Sequence, residues 1–88
     1  MVDGYETVEM TALLNELTVL MDRANRRHGP IASNMETLGV ITEEYHEVIG
    51  AVHRGETWAI RAELFDLAVA ALRGVVAIDQ RKGNHEDL

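Results

Sequence analysis

The sequence predicts an all-α fold of three helices. Apolar residues recur every three or four positions along most of the chain, no period-two alternation is sustained, and no Asn-Gly or Asp-Gly stands between two apolar runs, the one Asp-Gly being Asp3-Gly4 at the start. A chain of 88 residues suffices for one domain, and 1–88 reads as a single helical unit without internal repeats.

The first helix is expected over about 7–27, where Met10, Leu13, Leu14, Leu17, Leu20, Met21 and Ala24 fall on one face. His28-Gly29-Pro30 contains the only Pro and breaks that pattern. Ser33 followed by Glu36 is a capping-box signature, and it opens a second periodic run through Leu38, Ile41, Tyr45, Val48, Ile49 and Val52. Arg54-Gly55 should close this helix, since a basic residue followed by Gly suits a helix C-terminus. Thr57 is the expected N-cap of a third helix that continues towards Asp79, folded back on the second as an antiparallel hairpin. The polar tail 81–88 is expected to fray. Gly39, Gly50 and Gly74 each cost about 1 kcal/mol inside a helix relative to Ala, so close helix contact is expected at these positions, with fraying the alternative at Gly50.

Helix three is apolar on more than one side, since Leu67 to Leu72 and Val75 to Ile78 are separated only by Arg73 and Gly74. A helix hydrophobic all round is normally buried all round, and two short partners from the same chain cannot cover it. A homo-oligomer with merged bundle cores is therefore expected, either a dimer or a dimer of dimers.

Eight basic against 15 acidic residues give a formal charge of −7, the wrong sign for holding a nucleic-acid backbone. An acidic protein that handles a phosphorylated small molecule needs cations to offset the repulsion. Cysteine is absent, which removes disulfides, zinc thiolate sites and thiol nucleophiles together. The N-terminal segment is acidic where a signal peptide is basic, and no apolar run reaches membrane-spanning length. These features predict a cytoplasmic protein with neither a nucleic-acid nor a membrane partner.

Two acidic pairs suggest chemistry: Glu44 with Glu47, and Glu63 with Asp66. Residues three apart on a helix share a face. Glu47 and Glu63 each lie 8 residues from Gly55, and Glu44 and Asp66 each lie 11 from it. In an antiparallel hairpin, equal counts give equal heights, roughly 12 Å and 16 Å from the turn at about 1.5 Å per residue. Four carboxylates converging there would repel one another strongly, and a hard divalent cation with oxygen ligands resolves the conflict. The competing reading is a solvated acidic face. Against it, no Lys or Arg stands four residues after any of the four acids, while Val40, Ala51, Ala59 and Ala70 share their stripe.

Glu43-Glu44-Tyr45-His46-Glu47, a 15-residue spacer and Glu63-Leu64-Phe65-Asp66 form an EExxE, then ExxD pattern. Here the chain resembles the MazG-like, all-α nucleoside triphosphate pyrophosphatase superfamily, which includes dimeric dUTPases. The lead-in Leu-Gly-Val-Ile-Thr-Glu-Glu and the apolar run after Asp66 are also similar to that family. The resemblance implies hydrolysis between the α and β phosphates of a nucleoside triphosphate, in a house-cleaning role toward non-standard nucleotides. It implies Mg2+, with Mn2+ as a substitute, held by Glu44, Glu47, Glu63 and Asp66, and Glu43 as the catalytic group acting on water. Family members often carry Lys or Asn downstream of ExxD for the substrate, where this chain offers Arg73.

Arg73, Arg27, His28 and Trp58 are the candidate substrate-binding residues. Each has a structural alternative: capping or an interface for Arg73, completion of a helix C-terminus for Arg27 and His28, and a packing anchor for Trp58. His46 and His53 read as surface or interface histidines. Two other functions compete. A carboxylate-bridged di-iron protein needs two Glu-x-x-His motifs, and only Glu43 to His46 supplies one. A non-catalytic helical interaction module would use the acidic stripe for docking.

Overall fold

The computed structural model describes residues 4–83, which form α1 (Gly4–His28), α2 (Asn34–Arg54) and α3 (Thr57–Gly83). No strand occurs among them. α1 begins ahead of its first apolar repeat, because extending a nucleated helix costs little per residue.

The breaks follow from local chemistry. Gly29 takes φ +70°, and its N–H donates to the Asn25 carbonyl at 2.9 Å before Pro30. At the start of α2, Ser33 is extended and its Oγ accepts from the Glu36 N–H at 3.0 Å. Glu36 answers by accepting from the Ala32 N–H at 2.6 Å, one residue before the cap. Gly55 closes α2 at φ 71°, with its N–H shared between the carbonyls of Ala51 and Val52.

Two expected ends are corrected. The cap of α3 is Glu56 rather than Thr57, because the Glu56 carbonyl already accepts from the N–H groups of Ala59 and Ile60 at 2.9 Å. The Arg54 Nε donates to Glu56 Oε1 at 2.9 Å and braces this two-residue link. At the other end, α3 runs to Gly83, so 81–83 belong to the helix and not to a frayed tail. Arg81 donates to the side chain of Asn34 at the start of α2, which ties down that turn. The rest of the expected tail, 84–88, lies outside the described residues.

α2 and α3 form the hairpin, and α1 packs on α3 but not on α2. The pairings of Glu16 with Arg61 and Asn25 with Arg73 show α1 running in the same direction as α3. Arg61 holds Glu16 with two hydrogen bonds of 3.0 and 3.2 Å while lying over the Phe65 ring. The buried apolar residues are mostly small: Ala51, Ala59, Val69, Ala70 and Ala77, with Ile31. Of Gly29, Gly39, Gly50, Gly55 and Gly74, only Gly74 marks a close approach of helices, since a Cβ there would stand 2.8 Å from Thr37 Cγ2 of α2. Gly39 faces open space and Gly50 meets only a side-chain nitrogen of Arg54 in its own helix, so the expectation of close helix contact at those two is not met.

Candidate metal centre

The short Glu56-centred turn sets α2 and α3 in register, and this register brings the four acids together. Glu44, Glu47, Glu63 and Asp66 each offer a carboxylate oxygen, and these oxygens lie within 4.8 Å of one another. Among the described residues no histidine joins this group. His46 instead lies beside the ring of Tyr45, with centroids 6.3 Å apart, and both His46 and His53 are exposed.

The burial of the cluster is uneven. Glu47 and Asp66 are exposed, whereas Glu44 and Glu63 are half-buried and each has its Oε1 closed off from solvent without a hydrogen-bond partner. An orphaned buried carboxylate oxygen is costly, and such groups are normally paired with a donor or a cation. Burial, reinforced by the charges of Glu47, Asp66, Glu63 and Glu43, pushes the Glu44 carboxyl up to about 7. Burial also raises Glu63, helped by its hydrogen-bonding reach to Glu47, while the Arg54 charge pulls the other way. Asp66 is raised by burial and then by the Glu47 charge.

The cluster opens onto a cleft of about 620 Å³ between α1 and α2, floored by α3. Glu43, Glu44, Glu47 and Asp66 line it, while Glu63 belongs to the cluster but not to the lining. α1 contributes Arg23, Arg27 and His28 to the same cleft. Acids and bases thus share one cavity on separate helices, while Leu20, Val40 and Val69 give it an apolar lining. Arg23 did not emerge from the sequence reading, although its spacing of four from Arg27 would have placed both on one face of α1.

Arg73 lines the cleft as well, but it is only 8% exposed and two of its nitrogens are engaged by α1 and the residue that follows it. Its Nε donates to Asn25 Oδ1 at 3.2 Å and a terminal nitrogen donates to the Gly29 carbonyl. This is the capping alternative, joining the end of α1 to α3. Trp58 is 74% exposed and lies outside the cleft lining, so it neither anchors the single-chain core nor faces the cavity.

The four acids offer oxygen donors only. Four carboxylates and no soft ligand could hold a hard cation, and the raised proton affinities of Glu44, Glu63 and Asp66 express the same need for positive charge. No helix is long and apolar enough to cross a membrane among the described residues. Comparison with protein-family models, curated proteins and solved structures gave no match.

Proposed function

We propose that this chain is a nucleoside triphosphate pyrophosphohydrolase that uses Mg2+, or Mn2+ in its place, held by Glu44, Glu47, Glu63 and Asp66. The observation that carries the reading is one cleft lined by Glu44, Glu47 and Asp66 of this carboxylate group together with Arg23, Arg27 and His28 of α1. The EExxE, then ExxD pattern supports it independently. Bound at the acids, the metal supplies charge neutralisation and Lewis acidity at the phosphate.

The remaining steps fall to the chain itself. Arg27 and His28, with Arg23 beside them, attract the polyphosphate and orient it across the cleft. The apolar lining of Leu20, Val40 and Val69 receives the uncharged part of the substrate. Glu43 lines the cleft one residue from Glu44, about 100° around the helix, so it flanks the cluster with its own carboxylate free. It accepts a proton from water as the water oxygen bonds to the α phosphorus. The bond from that phosphorus to the bridging oxygen breaks, and pyrophosphate leaves with the electron pair. Phosphoryl transfer of this kind is mainly positioning and charge neutralisation, which these groups supply.

The test is a screen of common and damaged nucleoside triphosphates with monophosphate and pyrophosphate both measured. Turnover is expected only with Mg2+ or Mn2+, and Glu43→Gln is expected to keep metal binding and lose rate. Orthophosphate as the released product would overturn the reaction, and full activity in Glu43→Gln would overturn the role of Glu43.

A further inference from the structure

The arginines of this chain fall into two groups. Arg26 pairs with Asp22, Arg54 with Glu56 and Arg61 with Glu16, while Arg73 donates to the end of α1 and Arg81 to Asn34. Arg23 and Arg27 hold no partner among the described residues, in a chain with 15 acids. Both line the cleft, and four residues apart they share one face of α1. Two unpaired guanidinium groups on one face repel each other, and an anion with several oxygens satisfies both.

Three contacts fix the heights of the cleft residues. Asn25 of α1 reaches Arg73 of α3, Thr37 of α2 meets Gly74 of α3, and Glu44 shares the acidic group with Asp66. Arg27 is therefore level with Glu36 across the cleft, and Arg23 with Val40. At about 1.5 Å per residue, Arg23 stands roughly 6 Å beyond Glu44 and Arg27 roughly 12 Å beyond it. Side chains on a helix tilt toward its N-terminus. For α1 this direction is toward the acids, so both guanidinium groups lean down the cleft to the cluster. α2 runs the other way, and Glu36 leans away from the cluster, where its Oε1 accepts from the Ala32 N–H at 2.6 Å. The carboxylate of Glu36 thus stands beyond Arg27 and does not pair with it.

We propose that the cleft counts phosphates, with Arg23 holding the β-phosphate, Arg27 and the adjacent His28 the γ-phosphate, and Glu36 barring a fourth. This rests on the reaction proposed above, which puts the α-phosphate at the carboxylate group. The phosphate chain then runs from the acids toward the C-terminus of α1, and Arg27 and Glu36 together select among di-, tri- and tetraphosphates. A diphosphate leaves Arg27 unpaired and forfeits a charge-assisted contact. A tetraphosphate brings its last phosphate against the charge of Glu36, which the bond to Ala32 holds in place. Attraction at one residue and repulsion at the next set the length.

The test uses the full chain with Mg2+. Calorimetric titration with inorganic pyrophosphate, which this reaction releases and does not consume, should show roughly tenfold weaker binding in Arg23→Gln and in Arg27→Gln. Nucleoside di-, tri- and tetraphosphates of one base are then compared by kcat/KM. The native chain should favour the triphosphate by roughly tenfold over both. Arg27→Gln should cost the triphosphate more than the diphosphate, whereas Arg23→Gln should cost the two alike. Glu36→Gln keeps an oxygen for the Ala32 N–H and should raise the tetraphosphate relative to the triphosphate by about fivefold or more. Equal native rates on the three lengths overturn the inference, as does pyrophosphate affinity that neither arginine variant changes, or discrimination against tetraphosphate that survives in Glu36→Gln. If pyrophosphate is still released from nucleotides in those cases, the proposed reaction stands and only the counting falls. If no nucleotide is cleaved, the reaction falls, and titrations with inorganic triphosphate and tetraphosphate decide the counting. A preference for triphosphate that Glu36→Gln removes upholds it, and equal affinities overturn it.

Discussion

Arg73, in the middle of α3, donates to the carbonyl of Gly29 just beyond the end of α1, and its Nε reaches Asn25 one turn earlier. The guanidinium thus ties α3 to a side chain in the last turn of α1 and to the main chain just beyond it, and it holds the basic end of α1 at the cleft. Arg73→Met should therefore lower stability by about 2 kcal/mol, the scale of hydrogen bonds to a charged group. Chemical denaturation without nucleotide is the check. A residue acting only on phosphate would leave that midpoint unchanged.

Glu47→Gln and Asp66→Asn should abolish binding of Mg2+ and Mn2+ in isothermal titration. Each removes one negative charge from a group of carboxylates within 4.8 Å, so the metal-free variants should melt at or above the native temperature. Loss of the fold in either metal-free variant would make these acids structural.

The raised Glu44 carboxyl sets a pH dependence whose sign is opposite to that of a salt-bridged acid. Its folded value of about 7 lies above the ordinary 4.5, so between these limits the folded state holds more protons than the unfolded state. Stability of the metal-free protein should therefore fall as pH rises from about 4.5 to about 7, and Glu44→Gln should flatten the trend. Metal affinity should rise over the same interval, because the ligand must lose its proton. Thermal melts with chelator, set beside melts with Mg2+, measure both effects.

Gly74 and Gly39 should respond in opposite directions to an added side chain. Gly74→Val drives its Cβ into Thr37 across the α2 and α3 contact and should destabilise by about 1 to 3 kcal/mol. Thr37→Ala should recover part of that loss. Gly39→Ala meets nothing within 4 Å and should stabilise by up to about 1 kcal/mol through helix propensity. Denaturant midpoints of the three variants check the contrast.

Periodicity and capping chemistry are local properties, and so the sequence alone determined three helices, the break at Gly29-Pro30, the Ser33 cap and the Gly55 stop. It also determined that Glu44, Glu47, Glu63 and Asp66 stand at matching heights, because equal distances from one tight turn fix the register of a hairpin. Where α1 lies was not legible. Its amphipathic face is satisfied by either helix of the hairpin, and only packing on α3 alone leaves the cleft that faces Arg23, Arg27 and His28 toward the acids. The same packing gave Arg73 partners that its spacing from Asp66 could not show, since α1 brings Asn25 and Gly29 within its reach at the edge of the cleft. Sequence spacing records which residues share a face of one helix. Which face meets which neighbour is decided by the sum of many weak contacts between segments far apart in the chain, and that sum exists only in the tertiary structure.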